Sequence, residues 1–178
     1  LAFFTKQTAI GIWIAIVVYT GVLRLRQREY RKFLLELGSL VSGVLLIGLF
    51  WVIFFALQGG LTDFWNAAFV YNFVYSTNKP FSDRINPLKN RMAPLAQSGI
   101  LQLGSIGYIL TLLFMYFKRR HILSHLPLLT IGLIDFPIEL FLSDLSGRSY
   151  RHYYMTLLPT LALFTSVTFW SISSFLLS

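Results

Sequence analysis

Three ionisable residues stand inside apolar runs, Lys6, Asp135 and Glu139. Such a group costs about 2.5–3.5 kcal/mol on membrane-insertion scales, so its presence points to a partner or a task. Asp135 and Glu139 are four residues apart and share one helix face, with Pro137 between them loosening the backbone. Two carboxylates so placed can wall a wet cavity, where they would bind a metal ion, hold sugar hydroxyls or accept a proton. They can equally form structural ion pairs with Lys6, Arg148 or Arg151. Lys6 can contact an anionic group such as a lipid phosphate, or simply snorkel to a headgroup layer, and Gln7 adds a hydrogen-bonding group beside it. The run Gly147-Arg148-Ser149-Tyr150-Arg151-His152-Tyr153-Tyr154 combines guanidinium forks suited to phosphate oxygens with aromatic faces suited to sugar rings. An interfacial aromatic belt with headgroup-binding arginines reads the same residues equally well. His121 and His125 have a zinc-ligand spacing, but no third ligand lies near them in sequence. Glu36 is expected to pair with Arg31 or Lys32.

The elements that must hold these residues follow from the apolar runs. Of 178 residues 56% are hydrophobic and only 12% charged, and the mean hydropathy is +0.66. A soluble domain carries roughly 25% charged residues. The runs are close to the ~20 residues that cross ~30 Å of hydrocarbon as a helix. Five spans are expected, at about 1–23, 33–57, 98–117, 126–142 and 153–177. The predicted fold is therefore all-α, a polytopic membrane helix bundle forming a single membrane domain over 1–178. Basic clusters at 24–32 and 118–121 fall on one side when the spans alternate, and the positive-inside rule makes that side cytoplasmic. The loops 58–97 and 143–152 then lie outside. Within the first of these, Asp63 to Tyr75 is aromatic and too short to span. Phe64, Ala67, Ala68, Tyr71 and Tyr75 fall at helical spacing, so an interfacial helix is predicted over about 63–75, capped by Thr62 or Asp63. The net charge of +8 is read as topology and lipid-headgroup contact, with no nucleic acid implied. The chain has no cysteine, which excludes disulfides and thiolate metal sites. No signal peptide is legible at the start, and the chain reads as the C-terminal part of a longer one. Nucleotide loops and nucleophile elbows are absent from the sequence.

Three segments together resemble the multispanning glycosyltransferases of family 39 and their C-type superfamily relatives. Leu1-Ala-Phe-Phe-Thr-Lys-Gln-Thr8 is similar to the "LxFLTK" start of a mid-chain span. Phe69-Val-Tyr-Asn-Phe-Val-Tyr75 is similar to an aromatic "YN..Y" stretch of an outer loop. Glu139, the Gly147–Tyr153 run and Leu158-Pro159 resemble an "E…GRxYxHY…LP" pattern, with Ser149 where proline is common. The resemblance implies transfer of a sugar from a polyprenyl-phosphate carrier to an acceptor on the outer face of a bacterial inner membrane, within the cell envelope. Lys6, Arg148, Arg151 and His152 would then surround the carrier phosphate. Gln7, Tyr71, Asn72, Tyr150 and Tyr153 would contact sugar or acceptor, and Asp135 and Glu139 are the tentative catalytic carboxylates. Transfer would be inverting: an acceptor hydroxyl attacks with help from a carboxylate, and the lipid phosphate leaves with its charge held by the cations. A divalent metal ion could share that neutralisation, though no ligand set for one is legible. The family's acidic base belongs to a first outer loop that would lie upstream of Leu1, and no position here matches it. Two other readings stand beside this one. A transporter or flippase of lipid-linked or anionic substrates predicts broken helices in paired repeats near the midplane, and no repeat is present. A non-catalytic membrane subunit predicts that the outer polar cluster is structural. Donor sugar, acceptor and oligomeric state are not legible.

Overall fold

The computed structural model describes residues 10–71, 92–117, 126–144 and 155–177, and among these the chain is all-helical. The helices are α1 (Gly11–Arg26), α2 (Tyr30–Leu57), α3 (Leu61–Trp65, running into a π-helical stretch Asn66–Val70), α4 (Ile100–Tyr116), α5 (Leu126–Asp144) and α6 (Leu158–Leu176). They match the expected apolar runs within a few residues at each described end. Two stretches, Tyr30–Leu57 and Met155–Leu176, are long and apolar enough to cross a membrane, and α4 is a shorter apolar helix.

Chain reversals explain where the helices stop. After α1, the amide of Glu29 donates to the Arg24 carbonyl at 2.9 Å and that of Arg28 to the Leu25 carbonyl at 3.1 Å. This is a Schellman closure, and it puts Arg28 in the left-handed region at φ 58°. After α2 the same pattern recurs, with Gly60 donating to Phe55 at 2.9 Å and Gly59 to Ala56 at 3.1 Å. There the left-handed residue is Gly59, φ 69°, which has no Cβ to clash. Arginine in that slot costs about 1–2 kcal/mol that glycine avoids.

Packing is uneven. The most extensive contact joins α4 to α6, followed by α1 on α5. Gly104, Gly107 and Thr111 line the buried face of α4. A Cβ at Gly107 would land on the backbone carbonyl of Phe164, so the two helices meet backbone to backbone. Thr168 Oγ1 also donates to the Leu103 carbonyl at 2.7 Å. Close approach through small residues gains dispersion contacts where no hydrophobic drive exists between helices. By contrast α2 buries none of its 28 residues. Most of its apolar side chains are exposed, with Phe33, Leu37, Leu40, Trp51 and Phe55 half-buried, as expected of a helix that meets hydrocarbon over most of its surface.

Two local expectations are corrected. The short helix after α2 begins at Leu61, its N-cap is Gly60, and no side chain caps it. Neither Thr62 nor Asp63 is the cap; Asp63 instead lies in the first turn, where a carboxylate favours the positive end of the helix. The helix continues to Tyr71, and its predicted remainder to Tyr75 lies outside the described residues. Glu36 pairs with Arg24 across the α1–α2 turn, not with Arg31 or Lys32, because the three-residue reversal lays the end of α1 beside the first turns of α2.

Gly107→Ala should force α4 from α6 and cost about 1–3 kcal/mol or more, since the obstacle is backbone. Gly38→Ala, with nothing within 4 Å of its Cβ position, should be neutral or stabilise by up to about 1 kcal/mol. Unfolding of the two purified variants in detergent micelles checks the contrast.

Candidate functional site

Two of the three acidic residues of α5 are buried, Asp135 at 3% exposure and Glu139 at 2%, while Asp144 at its end is half-buried. Each of the buried pair is met by a different neighbour. Thr160 Oγ1, in the first turn of α6, donates to Asp135 Oδ2 at 2.5 Å. The amide of Gly11, the first residue of α1, donates to Glu139 Oε1 at 3.1 Å. Gly11 has no side chain for a reason: a Cβ there would collide with the Glu139 carboxylate. A third contact in the same region joins the hydroxyls of Ser143 and Thr156 at 3.3 Å. The C-terminal half of α5 is thus tied to the starts of α1 and α6 by polar groups. Asp135 Oδ1 is buried and has no hydrogen-bond partner among the described residues, so an acceptor position stays open there.

Pro137 sits inside α5, between the two acids. Proline has no amide hydrogen, so the carbonyl four residues earlier, that of Leu133, loses its helical donor. Tyr108 of α4 supplies one: its hydroxyl donates to the Leu133 oxygen at 3.3 Å. The Tyr108 ring is fixed between Phe136 at 5.4 Å and Phe164 at 5.2 Å between centroids. The proline gap is therefore filled by a neighbouring helix, and the acids keep their setting.

Of the residues singled out in the sequence, Asp135 and Glu139 are brought onto one buried seam. Tyr71 ends the described part of the α3 helix and is 62% exposed. Lys6, Gln7, Asn72, Arg148, Tyr150, Arg151, His152 and Tyr153 lie outside the described residues, as do His121 and His125. The ion pairs considered for the acids involve these residues; within the described structure the acids are held by Thr160 and Gly11. No group of three or more His, Asp or Glu gathers among the described residues. A groove of about 1050 Å³ lies elsewhere, between α2 and α3, lined by Leu45, Leu49, Val52, Phe64 and Trp65 with only Ser42 and Thr62 polar. It carries no group able to do acid–base chemistry.

No family model matches this chain, and no curated protein or solved structure matches it either.

Removing the hydroxyl in Thr160→Val should destabilise by about 1–3 kcal/mol, since it strands a buried carboxylate oxygen. Combining it with Asp135→Leu should recover much of the loss, and a double-mutant cycle of unfolding free energies measures the coupling. Tyr108→Phe should cost about 1 kcal/mol in the wild-type background. In a Pro137→Ala background, where residue 137 regains its amide, that cost should shrink toward zero.

Proposed function

We propose that this chain is a five-span membrane portion of a glycosyltransferase that takes a sugar from a polyprenyl-phosphate carrier. In this reading the transfer occurs on the outer face of a bacterial inner membrane, with the loops 24–32 and 118–121 cytoplasmic. The observation that carries it is the tie of α5 to the starts of α1 and α6 through Glu139–Gly11 and Asp135–Thr160. In sequence, Lys6 and Gln7 shortly precede α1, and Arg148, Arg151 and His152 lie between α5 and α6. The seam therefore joins the helix ends from which both basic segments depart. Supporting it are the three segments resembling family 39 and the apolar groove between α2 and α3, whose lining suits a hydrocarbon tail.

Chemically, the acceptor hydroxyl oxygen bonds to the anomeric carbon while the bond from that carbon to the phosphate oxygen breaks. The electron pair goes to the phosphate, whose charge the guanidinium and ammonium groups hold. The hydroxyl proton goes to a carboxylate. Asp135 and Glu139 are the candidate acceptors of that proton, the first held in place by Thr160 and the second by the Gly11 amide.

In lipid vesicles the protein should release polyprenyl phosphate from one member of a panel of polyprenyl-phosphate sugars. Arg148→Ala should cut that release by about 100-fold, the scale of losing one preorganised charge stabiliser. Absence of turnover with every donor, while a labelled lipid-linked substrate still crosses the bilayer, would move the assignment to a transporter.

A further inference from the structure

The α1–α2 turn carries a second cluster, at the end of α1 remote from the acid seam. It holds five cations, Arg24, Arg26, Arg28, Arg31 and Lys32, with two carboxylates, Glu29 and Glu36. The carboxylates are already taken. Arg24 reaches Glu29 at 2.8 Å and also Glu36, while Lys32 reaches Glu29 at 2.5 Å. Arg26, Arg28 and Arg31 are exposed and have no ion-pair partner among the described residues.

Their depth is set by the helix that follows. Leu37 to Leu57 is 21 residues without a charge, about 31 Å of helix at ~1.5 Å per residue. That equals the hydrocarbon thickness of a bilayer, ~30 Å. The three arginines precede this stretch by a turn or more, at the level of the headgroups. Around them Leu25, Tyr30, Leu34 and Leu35 are at least half exposed. Cations interleaved with outward apolar side chains fit a lipid surface; a nucleic-acid face would have no use for the leucines. Arg28 adds an independent sign. It holds the left-handed slot that Gly59 fills in the sister turn, so the chain keeps a side chain where glycine fits better.

We propose that the α1–α2 turn is a binding site for the phosphodiester headgroups of anionic phospholipids, with Arg26, Arg28 and Arg31 as its cations. The site rests on the membrane reading above but not on the transferase reading.

The test uses the full chain in vesicles of phosphatidylcholine with phosphatidylglycerol added. A donor dye is placed on Gln27→Cys, the chain having no other cysteine. Energy transfer to headgroup-labelled phosphatidylglycerol is compared with transfer to labelled phosphatidylcholine. The anionic probe should be favoured, less so at high salt. Each Arg→Gln replacement should weaken its association about fivefold, and the triple replacement should abolish the preference. Arg28→Gly should lose its share of binding while thermal stability holds or rises, which separates lost contact from misfolding. Equal transfer to both probes, or a preference that survives the triple replacement, overturns the site. Tryptophan quenching by brominated phosphatidylcholine reports insertion separately. No quenching overturns both the site and the membrane reading, whereas quenching without a lipid preference sinks the site alone. Binding of a single-stranded oligonucleotide through the same arginines, with no lipid preference, would also overturn it.

Discussion

Two carboxylates on one face of α5 are placed where almost no solvent reaches, and a buried acid must be met by a donor or the helix carrying it will not pack. Thr160 meets Asp135 and the Gly11 amide meets Glu139. These partners belong to different helices, so satisfying the acids fixes α1 and α6 against α5. Gly11 is constrained in turn, because only a residue without a side chain lets Glu139 reach the backbone. The same logic runs through Pro137. Placing a proline between the acids removes an amide, and the freed Leu133 carbonyl recruits Tyr108 from α4. Polar satisfaction thus links all four of these helices.

The rest of the packing is apolar and close. Between α4 and α6 the contact is made by glycine against backbone, with the Thr168 hydroxyl donating to the Leu103 carbonyl across it. α2 stands apart from this core. It buries nothing, yet its first turns hold the charged cluster and its last turns stack Phe55 on Phe64 at 4.8 Å. One end of α1 therefore meets a buried acid, Glu139, and the other carries exposed arginines.

Much of this was legible in the residues themselves. The apolar runs located α1, α2, α4, α5 and α6, and the helical spacing of Phe64, Ala67, Ala68 and Tyr71 located α3. The i, i+4 spacing of Asp135 and Glu139 announced a shared face, read as the wall of a wet cavity or as ion pairs, and Pro137 announced a loosened backbone; that the face is buried was not legible. The donors were not legible. Thr160, Gly11 and Tyr108 are chosen by which helices become neighbours, and single-chain periodicity carries no record of that. Pro137 says that the Leu133 carbonyl needs a donor without saying which helix provides it. Glu36 shows the same limit in miniature: proximity in sequence favoured Arg31 or Lys32, but the tight reversal brought Arg24 across instead. The Schellman turn escaped because its left-handed position, usually signalled by glycine, is held by Arg28.

In the proposed topology the acid seam and the arginine turn lie on opposite faces of a membrane, with the acid seam outward. Since the chain lacks cysteine, single replacements can report this directly. Ser146→Cys, between α5 and α6, and Gln27→Cys, between α1 and α2, would each be exposed to a membrane-impermeant maleimide in intact cells stripped of their outer envelope. The prediction is that Ser146→Cys labels from outside and Gln27→Cys labels only after the membrane is opened. Labelling of both from the same side, or of Gln27→Cys alone from outside, would contradict the arrangement.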